Sequence, residues 1–292
     1  MRRRMLEDRR GHPGDSLRGV TLAFSREGSG EPLVLVHGTG GSRGTWDPIV
    51  PRLTARYDVI RVDLPGFGAS APLPAQMSPT VQALASAVQE ACAELDVSDP
   101  HVAGHSLGGG LALELARRGA ARTVTAIAPV GFWTGAESAW CRHSLVWGRR
   151  VGRACYERLP RLYSRPNLRA LLLGQHVGHG ARIPPATAVR WSRDLVDATD
   201  FERVNDVANR QLFAGADALA VPVTVAWPEN DRLLFPRQAR RARRVLPRAR
   251  HVWLTGCGHT PFYDDPEQVA RVVLESAAGG TSGAPNVRNA PL

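Results

Sequence analysis

The sequence predicts an α/β fold with a mainly parallel central sheet and helices on both of its faces. Short, continuous runs rich in Val, Ile and Leu recur along the chain, as expected for strands that are buried on both faces of a sheet. Stretches with helical periodicity, rich in Ala and Leu, separate several of these runs. A strand followed by a helix, repeated along the chain, is typical of this fold class.

The sequence predicts six strands and four helices along the chain. The predicted strands lie at residues 33–36, 59–62, 101–103, 124–127, 223–226 and 251–254. The predicted helices lie at residues 80–95, 107–118, 237–246 and 266–277. Because the carboxyl ends of parallel strands meet at one edge of a sheet, we expect the functional side chains to lie in the loops at that edge.

One connection is far longer than the others. About 90 residues separate the strand at 124–127 from the strand at 223–226, whereas a simple crossover needs on the order of 12 to 30 residues. We expect residues 131–206 to form a helical cap, or lid, over a core made of residues 19–130 and 207–278. Residues 1–18, a basic arm, and residues 279–292, a tail, hold few apolar side chains and are expected to be disordered.

Composition limits the classes of partner. The formal net charge is +10, which by itself would favour a nucleic-acid partner. All 37 basic residues are Arg, however, and the chain is rich in Ala, Gly and Pro, as the codon bias of a GC-rich genome would produce. We therefore expect no nucleic-acid partner.

Two further expectations concern location and metals. The chain has no run of about 20 apolar residues and no apolar stretch behind its first arginines, so we expect neither membrane insertion nor an export signal, and a cytoplasmic protein. The four cysteines form no Cys-x-x-Cys pair, and we expect no metal site.

The motif Gly104-His105-Ser106-Leu107-Gly108 lies between the strand at 101–103 and the helix at 107–118. This is the G-x-S-x-G nucleophile elbow in the strand, turn and helix context that it requires. Glycines on both sides of a strained serine avoid a clash of Cβ atoms. Ser106 is the predicted nucleophile, and the free N–H of Leu107 is a predicted donor to an oxyanion.

A second oxyanion donor is expected from the loop that follows the strand at 33–36. This loop reads His37-Gly38-Thr39-Gly40-Gly41. Gly38 would let the backbone approach the serine closely, and the N–H of Thr39 is the candidate donor. The alternative is a plain glycine turn, and His37 is expected to have a structural role.

A serine nucleophile needs a histidine that takes its proton. His259 is the best candidate among nine histidines, because it follows the strand at 251–254 at the carboxyl edge of the sheet. His105 is expected to point away from Ser106. Three histidines of the predicted cap could at most contact the substrate: His143, His176 and His179.

The histidine needs a carboxylate that orients it. In this architecture the acid should stand between the serine and the histidine in chain order, in a loop after a strand. The strand at 223–226 leads into a loop that holds both Glu229 and Asp231. Their position along the chain does not decide which of the two acids orients the histidine.

Several segments match a known family, in the correct order along the chain. They are residues 33–38 (LVLVHG), 63–70 (DLPGFGAS), 104–109 (GHSLGG), 230–231 (ND), 258–259 (GH) and 265–267 (DPE). The chain resembles the α/β-hydrolase superfamily, in its branch of esterases, lipases and carbon–carbon hydrolases with a helical cap. The resemblance implies the α/β-hydrolase fold, a catalytic triad of Ser106, Asp231 and His259, and an oxyanion hole formed by the N–H groups of Thr39 and Leu107.

The expected function is hydrolysis of a carboxylic ester of a small, largely apolar substrate through an acyl-serine intermediate, with no cofactor. Thioesters, lactones, peracid chemistry and carbon–carbon cleavage remain alternatives on the same triad. Carbon–carbon hydrolases commonly carry Trp after the catalytic histidine, whereas Thr260 follows His259 here, which favours esters. The arginines of the predicted cap could accept an acidic substrate.

A non-catalytic ligand-binding protein of the same fold is the alternative from a different class. Such proteins usually lack a triad member, whereas all three residue types are present here. The oligomeric state cannot be read from the sequence.

Overall fold

A single seven-stranded sheet organises the chain in the computed structural model, which describes residues 21–279. The strands are β1 (Phe24–Gly28), β2 (Glu31–Val36), β3 (Tyr57–Val62), β4 (His101–His105), β5 (Thr123–Ile127), β6 (Val223–Pro228) and β7 (Arg250–Leu254). Their order in the sheet is β1-β3-β2-β4-β5-β6-β7, and all neighbours except β1 and β3 run parallel. The predicted α/β-hydrolase fold is confirmed. The predicted arm at 1–18 and all but the first residue of the predicted tail at 279–292 lie outside the described residues.

Strand β1 was not among the predicted strands. Its sequence, FSREG, has one large apolar residue, and four of its five residues are exposed. The strand lies at the sheet edge, where Arg26 forms an ion pair with Asp58 of β3 at 2.6 Å. Charged side chains are common on edge strands because they discourage pairing with another chain. An exposed, charged strand carries no buried apolar run for a sequence pattern to detect.

Ten α-helices accompany the sheet in the described range. They are α1 (Val50–Leu53), α2 (Val81–Glu94), α3 (Leu107–Arg117), α4 (Gly135–Ala154), α5 (Leu159–Tyr163), α6 (Pro166–Leu173), α7 (Pro185–Asp197), α8 (Phe201–Val207), α9 (Arg237–Val245) and α10 (Pro266–Ala277). The four helices predicted from periodicity correspond to α2, α3, α9 and α10. The predicted first residue of α2, Thr80, is its N-cap, and its hydroxyl accepts a hydrogen bond from the N–H of Ala83.

Strands β4, β5 and β6 are buried on both faces, as their apolar runs predicted. The same prediction was wrong for β7, an edge strand that buries only Leu254 and leaves Trp253 42% exposed. Side chains alternate along β2, so that Val34 and Val36 pack under α2 and α3 while Leu33 and Leu35 face α1 and α10. Both faces are therefore closed by helices, and the loops at the carboxyl edge of the sheet remain as the place for a site.

Helices α4 to α8 lie between β5 and β6, within the segment that the sequence singled out by its length. We refer to residues 131–222 as the insertion. The predicted boundary at residue 206 falls inside α8, which ends at Val207. The role of the insertion as a cap stays a prediction.

The buried Arg149 joins three helices of the insertion. From α4, its guanidinium donates to the carbonyl oxygens of Leu195, Val196 and Ala198 at the end of α7, and it lies 4.9 Å over the ring of Phe201 in α8. A cation at a helix C-terminus satisfies carbonyls that the helix itself leaves free. Arg149 thereby fixes the orientation of α7, which contributes a wall of the site described below.

The buried Glu137 joins the insertion to the core. It completes a capping box at the start of α4, since its carboxylate accepts from the N–H of Thr134 at 2.7 Å. The same carboxylate is paired with Arg237 and Arg241 of α9. Burial acts to raise the pKa of the Glu137 carboxyl, but the Thr134 N–H and the two arginine charges outweigh it, and the pKa lies below its ordinary value.

We expect Glu137→Gln to lower the free energy of unfolding by about 1–3 kcal/mol at neutral pH, because a buried carboxylate and its charged hydrogen bonds are lost. A lowered pKa in the folded state gives stability above the unfolded-state pKa, and this stability disappears as the pH falls through the folded-state value. The difference between native protein and variant should therefore shrink in acid. Urea unfolding from pH 7 to about pH 3.5 measures it.

The matched control is Glu275→Gln, which removes a half-exposed pair with Arg250. Exposed pairs contribute little, so this variant should lose less than about 1 kcal/mol. Two results would contradict the role of Glu137 in joining the insertion to the core. One is an equal loss of unfolding free energy in both variants. The other is a loss in Glu137→Gln that does not change with pH.

No helix between residues 21 and 279 is both long and apolar enough to cross a membrane. The four cysteines all lie in this range, and none forms a disulfide.

Candidate active site

Ser106 occupies a strained turn between β4 and α3. Its backbone has φ 55° and ψ −115°, a region that costs a non-glycine residue on the order of 1–3 kcal/mol. The turn is held by a hydrogen bond from the Ser106 N–H to Ile127 O at 2.9 Å. The Ser106 carbonyl accepts from the N–H groups of Gly110 and Val130, each at 3.1 Å. The surrounding structure thus maintains a conformation that the serine alone would avoid.

The glycines beside Ser106 are required by close backbone contacts. A Cβ on Gly104 would lie 2.0 Å from Gly108 O, and a Cβ on Gly108 would lie 2.1 Å from Val36 O. Neither contact is possible without moving backbone. The motif is therefore a steric requirement of this strand, turn and helix.

The structure places His259 and Asp231 against each other. His259 Nδ1 donates to Asp231 Oδ2 at 2.8 Å, and the other carboxylate oxygen accepts from the N–H groups of Leu233 and Leu234 at 2.8 and 2.7 Å. The carboxylate is thus fixed on both sides. Because Nδ1 carries the proton, His259 Nε2 is left with a free lone pair, as a general base requires.

Ser106, Asp231 and His259 all lie in the interior. Their exposed fractions are 7%, 2% and 3%, and Ser106 and His259 line the same cavity. No hydrogen bond joins the Ser106 hydroxyl to His259 among residues 21–279. Such bonds often form or tighten only when substrate binds.

Glu229, the other acid that the sequence left open, is directed elsewhere. Its carboxylate accepts from the N–H of Gly256 at 3.0 Å and makes no contact with the ring of His259 within hydrogen-bond distance in the described chain. The geometry therefore favours Asp231 as the partner of His259.

The loop after β2 lies beside the serine. A Cβ on Gly38 would be 2.8 Å from Ser106 Cβ, so only glycine permits this approach. The Thr39 hydroxyl accepts a hydrogen bond from the side-chain amide of the buried Asn209, at 3.3 Å. No loop, turn or cap hydrogen bond of residues 21–279 uses the N–H of Thr39 or of Leu107. Both N–H groups are therefore available to an oxyanion.

His37 has the structural surroundings that the sequence led us to expect. Its Nδ1 donates to Gly38 O at 2.8 Å, and its Nε2 accepts from the N–H of Leu64 at 2.9 Å. Burial lowers its pKa, so the ring is neutral and its two nitrogens hold the loop against the turn after β3.

His105 contacts the base rather than the nucleophile. Its Nε2 donates to the carbonyl oxygen of His259 at 2.8 Å, and the two rings lie 4.8 Å apart. Burial, and next the proximity of His259, lower the pKa of His105 well below its ordinary value, so no second positive charge stands beside the base. The sequence did not predict this contact between His105 and His259, because the two residues are 154 positions apart.

The cavity that contains Ser106 and His259 has a volume of about 110 Å³. The loop after β2 forms one side of it. The insertion contributes a largely apolar wall, with one imidazole and one hydroxyl: Leu145, Leu173, His176, Trp191, Ser192 and Leu195. A larger cavity of about 270 Å³ is lined by residues of α2, α3 and the insertion, and neither Ser106 nor His259 lines it.

The buried Asp264 connects the insertion to the loop of the base. Its carboxylate accepts from the N–H groups of Gly178, His179 and Gly258, each at 2.8 Å. Gly178 and His179 belong to the insertion, whereas Gly258 directly precedes His259. We call this arrangement the Asp264 latch. Asp264 was not among the predicted site residues, because a single Asp in a loop belongs to no recognisable sequence pattern.

We expect Asp264→Asn to lower kcat/KM by about 10- to 100-fold, because a small displacement of the base is costly. The substitution keeps the size of the side chain and one acceptor oxygen, but it replaces the other acceptor oxygen by an NH2 group that cannot accept. Ester hydrolysis kinetics, together with the thermal midpoint, measure the effect.

Asp265→Asn is the matched control for the latch. Asp265 is the N-cap of α10 and accepts from the N–H of Gln268 at 2.8 Å. This variant should lose some stability while retaining kcat/KM within about threefold. A proportional loss of activity and stability in both variants would argue that Asp264 has no specific effect on the base.

A strained serine behind a parallel strand, a buried His–Asp pair and free N–H groups at the same sheet edge define an α/β hydrolase. The chain belongs to this family, since the family model described as alpha/beta hydrolase family matches residues 33–272.

Relatives of the chain include esterases. A pimeloyl-[acyl-carrier protein] methyl ester esterase of Methylococcus capsulatus is 30% identical over 275 residues, which cover 88% of this chain and 98% of the relative. A thermophilic esterase from Thermogutta terrifontis superimposes with a TM-score of 0.69 at 23% identity, covering 89% of this chain and 94% of the other. The enol-lactonase from Burkholderia xenovorans superimposes with a TM-score of 0.67 at 21% identity, covering 88% and 96%. At these identities the two structural likenesses show the fold alone.

Proposed function

We propose that the protein is a serine esterase that cleaves a carboxylic ester of a small, largely apolar substrate through an acyl-serine intermediate. The observation that carries the proposal is the placement of Ser106 and His259 in one cavity, with His259 held by Asp231 at 2.8 Å. The methyl ester esterase similar to this chain over most of its length supports an ester as the substrate.

In the first half of the reaction, Ser106 Oγ attacks the ester carbonyl while its proton passes to His259 Nε2. The carbonyl oxygen becomes an oxyanion, which accepts hydrogen bonds from the N–H groups of Thr39 and Leu107. The C–O bond then breaks, and the leaving alcohol takes the proton from His259. In the second half, water gives a proton to His259 and attacks the acyl group, and Ser106 recovers its proton.

Asp231 orients the imidazole during both halves. Its carboxylate holds the proton of His259 on Nδ1, which directs the lone pair of Nε2 towards the serine. The same negative charge stabilises the imidazolium that forms in each half-reaction. No bond to Asp231 is made or broken.

The cavity lining supports an uncharged substrate. Its walls are mainly apolar, and no Arg is among the residues that line it. The arginines of the insertion, which the sequence suggested as partners of an acidic group, line no part of this cavity. We infer that the insertion acts as the cap, since its side chains close the cavity over the serine.

Labelling with a fluorophosphonate probe tests the proposal. We expect the native protein to be labelled and Ser106→Ala to remain unlabelled, since the probe reacts with an activated serine. Ser192→Ala is the matched control, because Ser192 lines the same cavity but is bonded to the Tyr163 hydroxyl at 2.7 Å. This variant should be labelled like the native protein.

Hydrolysis of p-nitrophenyl esters of increasing acyl length then sizes the pocket, and an optimum at short chains is expected. A native protein that takes no label would contradict the activated serine and favour a non-catalytic binding protein. Labelling without ester hydrolysis would direct attention to lactones, thioesters or carbon–carbon bonds.

A further inference from the structure

His176 lies in the insertion, directly opposite the loop of the base. Its carbonyl oxygen accepts from the N–H of Thr260 at 2.6 Å. Two residues further on, the backbone is bonded to Asp264 and packs so tightly on the base loop that a Cβ on Gly258 would lie 2.6 Å from Gly178 N. The backbone of His176 is therefore fixed relative to His259.

The His176 side chain lines the cavity together with Ser106 and His259. Neither of its ring nitrogens has a hydrogen-bond partner in the described part of the chain, and neither is closed off from solvent. His37 differs, because both of its ring nitrogens are bonded to backbone groups. His105 also lines the cavity, but its Nε2 is bonded to His259 O and its unpartnered Nδ1 is closed off from solvent. An imidazole with unused nitrogens, on a backbone that is held against the loop of the base, is suited to bind a polar group of a substrate in this cavity.

The protonation state limits what such a group can be. Burial lowers the pKa of His176 to about 4, with a further contribution from His259. The ring is therefore neutral near pH 7 and offers one donor and one acceptor. With no cation in the cavity lining, a hydroxyl or a carbonyl oxygen is favoured over a carboxylate.

We propose that His176 is a specificity-determining residue that hydrogen-bonds an uncharged oxygen substituent close to the scissile ester, so that the enzyme prefers hydroxy- or oxo-substituted short esters to plain alkyl esters. The proposal rests on the esterase function proposed above. Its geometric basis is that the backbone of residues 176–178 is bonded to Thr260 and Asp264, while the His176 ring lines the cavity that contains Ser106 and His259.

A site built to bind a substrate hydroxyl discriminates against the analogue that lacks it, because the buried polar group is then left unpaired. A substrate that fills the cavity separates the His176 ring from solvent, and an unpaired group buried in this way costs about 5- to 150-fold in kcat/KM. We expect the native enzyme to show a preference of at least about tenfold.

The experiment compares three esters of similar size. Ethyl butanoate is the plain ester, ethyl 3-hydroxybutanoate carries the oxygen on the acyl side, and 2-hydroxyethyl butanoate carries it on the alcohol side. The measured quantity is the ratio of kcat/KM for each hydroxy ester to that for ethyl butanoate. A preference for either hydroxy ester supports the proposal. It also shows whether the enzyme binds the oxygen substituent on the acyl side or on the alcohol side of the ester.

His176→Phe removes both ring nitrogens and should bring the ratio close to one. His176→Gln keeps a donor and an acceptor and should retain part of the preference. It is the variant to measure if His176→Phe folds poorly. His179→Phe is the matched control on the same segment, because the His179 ring is half-exposed and lies 3.5 Å from Asp264. Its ratio should equal that of the native enzyme.

A native ratio near one for both hydroxy esters overturns the proposal, as does an unchanged ratio in His176→Phe. Fluorophosphonate labelling separates this failure from failure of the esterase function. A protein that is labelled and hydrolyses ethyl butanoate without preference refutes only the role of His176. A protein that is neither labelled nor active refutes both.

Discussion

Replacing Ser106 by alanine is expected to lower kcat by about 10⁶-fold, which leaves only the weak catalysis that binding and the oxyanion donors provide. The substitution removes one oxygen atom. It leaves the turn intact, since the bonds that hold the turn use the backbone of residue 106. Steady-state hydrolysis of the best p-nitrophenyl ester, with correction for the uncatalysed rate, measures the loss.

The controls for this prediction are His259→Ala and the double variant that combines it with Ser106→Ala. Members of a triad act as a unit, so both single variants and the double variant should have nearly the same residual activity. Independent contributions that multiply in the double variant would contradict the shared mechanism. A Ser106→Ala variant with substantial activity would assign the nucleophile to another residue.

Asp231→Asn is expected to lower kcat by about 10⁴-fold, as for the equivalent change in other triads. The local geometry gives the reason. The N–H groups of Leu233 and Leu234 point at Oδ1 and will keep an oxygen there. The amide nitrogen of the new side chain must then face His259 Nδ1 and donate a hydrogen bond to it. His259 therefore carries its proton on Nε2. A protonated Nε2 cannot accept the proton of Ser106.

Glu229→Gln is the matched control, because Glu229 lies on the same loop and accepts from the N–H of Gly256. It should keep kcat within about threefold, since its carboxylate does not contact the base. The two variants are compared by the pH dependence of kcat/KM as well as by its value. Loss of the negative charge beside His259 changes the shape of the pH profile, whereas a loosened loop lowers activity at every pH. A larger loss for Glu229→Gln would assign the orienting carboxylate to that residue.

Strands β2 to β7 and helices α2, α3, α9 and α10 were predictable, because their apolar patterns are local. The nucleophile turn was predictable for the same reason, since Gly104, Ser106 and Gly108 are neighbours in the sequence and their contacts are dictated by one sharp turn. Strand β1 was not, because an exposed edge strand needs no apolar pattern.

The support of the site could not be predicted, because it depends on residues that are distant in the chain. His105 meets His259 across 154 positions, and Asp264 meets Gly178 across 86. Position in the chain left Glu229 and Asp231 open, and only the family resemblance pointed to Asp231; the contacts of the two carboxylates agree with that choice. Sequence patterns identify the reacting groups, whereas tertiary contacts decide how firmly they are held.

The Asp264 latch has a consequence for the exchange of insertions between family members. Insertions are attractive modules for changing substrate range, because they enter and leave the core between two neighbouring strands. Here the insertion also supplies two of the three N–H groups that hold Asp264, and His176 supplies the acceptor for Thr260. A foreign insertion grafted at residues 131 and 222 would remove these bonds and loosen the loop of the base. A working chimera must therefore retain the native backbone at residues 176–179, so the transferable unit is smaller than the whole insertion.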